Sequence, residues 1–184
     1  MPFTHPPPYH GSCPCRTIRY RLNATPLVCH LCHCTSCQQE SGTAYCINIL
    51  IETRNVELID NSPPLLSNDI PTDSGDPQTL FRCPKCYFVL WSYYAWPVMS
   101  MVRAGTLDTA DLRRLTPDVE IYTKSRLAFV RVEWEGKREF VESYERELVW
   151  CEESNRRRDV YLPELLAYKE KLEREKQEGG VVVE

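Results

Sequence analysis

The sequence predicts an all-β domain stapled by zinc, with one helix appended at its C-terminus. Three observations predict it. Short apolar alternations with a period of two recur between Ile18 and Trp134, the mark of half-buried strands. Seven of the ten cysteines fall into tight groups: Cys13-Pro14-Cys15, Cys32-His33-Cys34-Thr35-Ser36-Cys37 and Cys83-Pro84-Lys85-Cys86. Helical spacing of apolar residues is confined to the last stretch of the chain, about 163–178.

In chain order, residues 1–10 carry Pro6-Pro7-Pro8 and little to bury, so they are expected as a poorly ordered arm. The domain is expected to run from 11 to 134. Ile18, Tyr20 and Leu22 alternate with Arg19 and Arg21, a strand, and Asn23 to Pro26 turns the chain into the cysteine triple. Tyr45, Ile47, Ile49 and Ile51 mark a second strand, and Val56 to Ile59 a third. From Asp60 to Gln78 the pattern dissolves into Asn, Ser, Asp, Gly and Pro, a loop long enough to be mobile or to shape a pocket. Thr79 to Arg82 and Tyr87 to Trp91 read as strands flanking a turn that holds Cys83 and Cys86. Val98 to Ala104, Val119 to Tyr122 and Leu127 to Trp134 are further strands, with a turn and short helix between the first two. Residues 135–184 form an extension. Arg156-Arg157-Arg158 is expected as a solvated loop. Pro163 opens the helix, Leu165, Leu166 and Leu172 give it one thin apolar stripe, and Gly179-Gly180 ends it. That stripe is expected to pack on the domain or on a second chain, the latter making a homo-oligomer.

The cysteine groups need a chemical reason. A thiolate lies about 2.3 Å from a bound zinc, so thiols one or two residues apart can share one ion. Neighbours as close as Cys13 and Cys15 are poor disulfide partners. Two pairs make a four-thiolate, closed site; the triple makes a site one ligand short. Closed sites are structural, and an open position is where zinc chemistry occurs. Two zinc ions per chain are therefore expected, although spacing alone does not say which pairs meet in space. Cys29, Cys46 and Cys151 stand outside the groups and read as small buried hydrophobes, Cys29 being close enough to serve as a fourth ligand to the triple.

Composition narrows the setting. The chain has 42% hydrophobic and 26% charged residues, fourteen prolines against seven glycines, and a net charge of −4. That balance speaks against a partner with a phosphate backbone, which calls for a basic face. No apolar run is long enough to span a membrane, and Met1 to His10 lacks the apolar core of a secretory signal. Clustered thiols without such a signal point to metal in a reducing cytoplasm rather than to a disulfide framework.

The order CxC, CHCxxC, CxxC resembles that of the glutathione-dependent formaldehyde-activating enzyme family, which also contains centromere protein V. Gly11-Ser12-Cys13-Pro14-Cys15 with Ile18-Arg19-Tyr20, Cys32 to Cys37 with Ser41-Gly42, Phe81 to Cys86, and Ala104-Gly105-Thr106-Leu107-Asp108 carry the resemblance over residues 10 to 133. It implies a β-tent of antiparallel sheets. It also implies that Cys13, Cys15, Cys83 and Cys86 hold a structural zinc and that Cys32, Cys34 and Cys37 hold a catalytic one. Arg16 and Tyr87 stand where family members often carry glycine, and Glu120-Ile121 where they often carry a histidine before a hydrophobic residue.

Three thiolates make zinc a weak Lewis acid but a good partner for a further thiolate. The expected reaction is therefore the making or breaking of a carbon–sulfur bond, and the resemblance implies glutathione, or a glutathione adduct, as the small-molecule thiol. His33, Glu40 and Tyr45 are the candidates for acid–base work. The alternative is a zinc-stabilised protein-interaction module without chemistry. A zinc-hydroxide hydrolase is disfavoured, since such sites more often use histidine and carboxylate ligands.

Overall fold

The computed structural model describes residues 3–72, 78–94 and 96–178. Ten strands and four α-helices follow one another as β1 (Tyr9–Ser12), β2 (Arg19–Leu22), β3 (Val28–Cys32), α1 (Thr35–Ser41), β4 (Cys46–Glu52), β5 (Val56–Ile59), β6 (Leu66–Ile70), β7 (Gln78–Arg82), β8 (Val89–Tyr94), β9 (Met99–Arg103), α2 (Thr109–Leu112), β10 (Val119–Ile121), α3 (Glu152–Asp159) and α4 (Leu162–Glu178). They build a three-stranded sheet in the order β1-β2-β5 and a seven-stranded sheet in the order β10-β3-β4-β9-β8-β7-β6. The ladders are antiparallel except that β10 runs parallel to β3, a departure from the antiparallel expectation.

The main core lies between the sheets. Ile18, Tyr20 and Leu22 from the small sheet meet Ile49, Ile51, Leu90, Trp91 and Val102 from the large one. Within the small sheet Gly11 lies opposite Tyr20. A β-carbon there would sit 2.4 Å from the Tyr20 ring, whose hydroxyl is tied to Thr106 Oγ1 at 2.6 Å, so only glycine fits.

On the other face of the large sheet the extension is packed. Val28, Val119 and Ile121 meet Phe140, Tyr144, Val149 and Trp150, while Leu27 and Met99 meet Tyr161 and Leu165. The appended helix is present and is seated on the domain through Leu165; Leu166 is left exposed. Among the described residues no helix is long and apolar enough to cross a membrane.

Several expectations are corrected. Residues 3–10 are not a loose arm: Phe3 bridges Leu115 and stacks on Tyr9 at 3.9 Å, and both rings are buried, so two aromatics fasten the proline run. Residues 127–134 are not a strand. The free edge of β10 is taken instead by residues 138–140, through Glu120 N–H to Arg138 O and Phe140 N–H to Glu120 O. Phe129 is consequently left 79% exposed. Part of the 60–78 stretch is ordered as β6, paired with β7, while residues 73–77 lie outside the described residues, as do Gly179 and Gly180.

The basic run is not a loop but the last turn of α3. Arg157 donates through Nε and Nη2 to both carboxylate oxygens of Glu52, which is 1% exposed. Burial alone would raise the Glu52 carboxyl; the Arg157 hydrogen bonds reverse that and hold it below its ordinary 4.5. The pair's stabilisation is thus present above pH 4.5 and lost as pH falls through the lower folded value. Arg157→Ala should cost about 3 kcal/mol at neutral pH, because it strands a buried carboxylate. In that variant burial is opposed only by the hydrogen bonds from Asn55 and backbone, so the folded value rises relative to the parent and the deficit should shrink in acid. Urea denaturation of both proteins at neutral pH and near pH 4 measures this; a deficit equal at both pH values would refute it.

Candidate functional site

The first and third cysteine groups meet. The thiols of Cys13, Cys15, Cys83 and Cys86 lie within 4.8 Å of one another, with Cys13–Cys15 at 3.4 Å and Cys15–Cys83 at 3.7 Å. A tetrahedron of 2.3 Å metal–sulfur bonds has edges of about 3.8 Å, so the cluster has the size of a closed zinc site. The two halves are built alike. After β1 the chain turns so that Arg16 N–H reaches Cys13 O at 2.9 Å and Cys13 N–H reaches Ile18 O. After β7, Tyr87 N–H reaches Cys83 O at 2.9 Å and Cys83 N–H reaches Phe88 O. Each turn closes on a left-handed residue, Arg16 at φ 57° and Tyr87 at φ 60°. Backbone amides also point at sulfur, from Ile18 to Cys13 at 3.3 Å and from Lys85 to Cys83 at 3.4 Å.

The second group sits where β3 runs into α1. Cys32 ends the strand, Cys34 caps the helix by accepting from Cys37 N–H at 3.4 Å, and Gly42 closes it in the left-handed region. A strand end, a cap and the first helical turn thereby converge, and the three thiols lie within 4.8 Å of one another. Cys29 points to the opposite face of β3, into the main core, and does not join them. Cys46, across the ladder from Cys32, is not part of the cluster either; its thiol bonds to Asn48 Oδ1 at 3.4 Å. Hydrogen bonds from Cys32 and Cys37 pull the Cys34 thiol down, while the same bonds push Cys32 and Cys37 up. Three thiolates that close repel one another, and a bound cation is what would let all three ionise together.

This triple opens into a cavity of about 530 Å³. Its floor is one face of the large sheet. On β3, β4 and β9 every second residue points there: His30 and Cys32, Asn48 and Leu50, Met99, Met101 and Arg103. The floor is polar beside the thiols. Arg103 binds Glu40 at 2.8 Å and Asn48 Oδ1 at 2.7 Å, and Asn48 Nδ2 lies 3.5 Å from the Cys37 sulfur. Farther away it becomes apolar at Leu50, Met99, Met101 and Trp96. Thr72, Gln78 and Tyr94 form one side, and the extension supplies another wall through Ser143, Tyr144, Arg146, Trp150 and Arg158. Burial pushes the His30 imidazole down to about 4, so it stands neutral against Tyr144, whose hydroxyl also accepts from Trp150 Nε1 at 3.0 Å.

Of the three acid–base candidates, only Glu40 lines this cavity, and it is engaged by Arg103. His33 is fully buried, with Nε2 2.8 Å from Glu120 and Nδ1 3.3 Å from Ala44 O. Tyr45 packs edge-on to that imidazole. Glu120 is fully buried as well and gathers Arg126 at 3.0 Å and Lys137 at 3.2 Å. Burial acts to raise its carboxyl, but His33, Arg126 and Lys137 hold it low. Glu120 is thus an anchor that fixes the loop between Cys32 and Cys34 from behind. Sequence reading missed Asn48, Arg103 and the whole wall from the extension. Asn48 carried a signal, being a polar residue flanked by apolar ones in the middle of a strand; the extension carried none.

A family profile described as glutathione-dependent formaldehyde-activating enzyme matches residues 8–125. No curated protein matches the chain. Among solved structures, a crystal structure of a Rhodobacter sphaeroides protein from a structural genomics programme is similar at a TM-score of 0.43 and 15% identity, over 56% of this chain and 92% of that one. The matched region contains all seven clustered cysteines and stops short of the wall that begins at Ser143.

The left-handed turns give a test of the four-thiol site. Arg16 and Tyr87 both project into solvent, so glycine there removes strain without removing packing. Each of Arg16→Gly and Tyr87→Gly should raise stability by about 1 kcal/mol, the left-handed penalty less the added chain entropy of glycine. Thermal unfolding with metal analysis checks it; destabilisation by both would show that these side chains, not the backbone turns, support the site.

Proposed function

The chain belongs to the glutathione-dependent formaldehyde-activating enzyme family, and from that premise we propose that it is a zinc-dependent carbon–sulfur lyase or synthase acting on glutathione or a glutathione adduct. Cys13, Cys15, Cys83 and Cys86 would hold a structural zinc, stapling β1 to β7 in the manner of a β-tent. Cys32, Cys34 and Cys37 would hold a second, catalytic zinc. When bound there, the metal supplies a positive charge that stabilises a substrate sulfur as thiolate in place of its proton.

The observation that carries this reading is the placement of the three-thiol cluster, and not the four-thiol one, in the wall of the large cavity. The surrounding residues have definable parts. Asn48 hydrogen-bonds the Cys37 sulfur and is held by Arg103, so the donor is fixed in direction. Glu40 and Arg103 place a charged pair beside the thiols. Their positions suit them to steady the oxygen on the carbon that gains or loses sulfur, Arg103 as donor and Glu40 as the group that takes up or returns its proton. His33, locked to Glu120, holds the ligand loop without facing the substrate. A protein-interaction module needs the closed site only and leaves the cavity at the triple without a purpose.

Metal analysis should find two zinc ions per chain. Cys34→Ala should lose one of them and reduce turnover of a glutathione–aldehyde adduct at least a hundredfold while the chain stays folded. Cys83→Ser should instead cost the fold, since structural zinc supplies folding free energy. A folded Cys34→Ala protein with full activity would remove the lyase reading and leave the interaction module.

A further inference from the structure

The size and lining of the cavity point to the other half of the substrate. We infer that the carbon joined to or released from sulfur carries an apolar substituent of several carbons, alkyl or aryl, so that the electrophile is a hydrophobic aldehyde rather than a one-carbon unit. This rests on the carbon–sulfur reading above and adds the substrate class.

Beyond the polar groups beside the thiols, the cavity is bounded by Leu50, Trp96, Met99, Met101, Tyr144 and Trp150. A one-carbon aldehyde displaces the volume of one or two waters, ~30–60 Å³. The cavity holds about 530 Å³, within the range of sites that enclose whole organic ligands. The charged groups on its walls already have partners. Arg103 is bound to Glu40, Arg146 to Glu147 at 3.0 Å, and Arg158 to Asp159 at 3.1 Å. The Tyr144 hydroxyl is taken by His30 and Trp150. A carboxylate or ammonium brought among these six side chains would lose its water without gaining a counter-charge, whereas a hydrocarbon group there is favoured. The chamber therefore suits the uncharged side of an adduct, and the charges of a glutathione tripeptide belong outside it. Two of the six side chains, Tyr144 and Trp150, lie beyond the residues matched by the family profile, so this chain brings part of its chamber from outside the family region.

The reaction balances without a further reagent. In the synthetic direction the thiolate sulfur forms a bond to the aldehyde carbon, the carbonyl π pair moves to oxygen, and the proton given up by the thiol ends on that oxygen as a thiohemiacetal. In the lyase direction the hydroxyl proton leaves, the carbonyl re-forms and the carbon–sulfur bond breaks. The substituent takes no part in the chemistry and fills the chamber throughout.

The test is calorimetric binding of two homologous series to the zinc-loaded full chain: S-methyl-, S-butyl- and S-hexylglutathione, and ethanethiol, butanethiol and hexanethiol. Burial of each methylene should tighten binding roughly fourfold, so S-hexylglutathione should exceed S-methylglutathione by more than tenfold and by up to about a thousandfold. Trp150→Ala and Met101→Gln should each flatten that dependence, the second preserving side-chain length on a rigid strand should the first fail to fold. If S-methyl and S-hexyl conjugates bind alike, or if a folded variant leaves the slope unchanged, the inference is overturned while the glutathione reading stands. If the alkanethiols show the slope and neither glutathione nor any of its conjugates binds, the chamber stands and the glutathione reading falls.

Discussion

Strand β4 has two faces, and the rest of the molecule is arranged by what each of them needs. Side chains on a strand alternate, so Ile47, Ile49 and Ile51 are committed to one side and Asn48, Leu50 and Glu52 to the other. The isoleucines fill the core against the small sheet. The other three do different work in sequence order. Asn48 reaches a ligand-group sulfur, Leu50 lines the chamber, and Glu52 receives Arg157 of the extension. Site, chamber and fastening thus follow one another along three alternate positions of one strand. A slip of one residue in its pairing would put a carboxylate and an amide in the core and three isoleucines in the cavity.

The two cysteine clusters show how the same kind of side chain is set in different surroundings. The four-thiol group is made of two like turns, at the ends of β1 and β7, with amides aimed at sulfur, and it lies away from the cavity into which the triple opens. Its geometry is completed by chain that comes from both sheets, β1 from the small one and β7 from the large one. The three-thiol group is local in sequence and built on a strand end and a helical cap. Local construction leaves one side open to the cavity, and the rigidity that local construction lacks is supplied from behind by the buried His33–Glu120 pair with Arg126 and Lys137.

Much of the fold could be read where burial is one-sided. β2 and β4 alternate visibly, because one face of each is packed with apolar residues and the other is not, and the clustered thiols marked both candidate sites. β3 was not legible: all five of its residues are buried, and Val28 to Cys32 carries no alternation to read. Helix α1 buries nothing and is defined only by the Cys34 cap and by Gly42, which leaves no apolar stripe. The apparent strand at 127–134 has the right period, but the edge it would need is occupied by residues 138–140, a competition that no local pattern reveals. The role of Glu120 is of the same kind. A glutamate in a strand is ordinarily solvated, and only its distant partners, His33, Arg126 and Lys137, make it a buried anchor.

The extension shows why the cavity cannot be attributed to the family region alone. Without residues 138–165, the sheet face bearing Val28, Leu50, Val119 and Ile121 would be an apolar surface open to water. The chain closes it with contacts of three kinds. Arg157 and Glu52 form a buried bidentate pair, Ser154 donates to Leu27 O at 2.8 Å, and Tyr161 with Leu165 packs on Leu27 and Met99. Arg138 adds hydrogen bonds to Leu148 O and Val149 O that hold the approach to α3 in place. The residues that fasten the extension alternate along the chain with those that line the chamber, Tyr144, Trp150 and Arg158. A change that loosened the fastening would therefore reshape the chamber at the same time. Stability of the extension and shape of the chamber are thus tied together in the same segment, carried by different side chains.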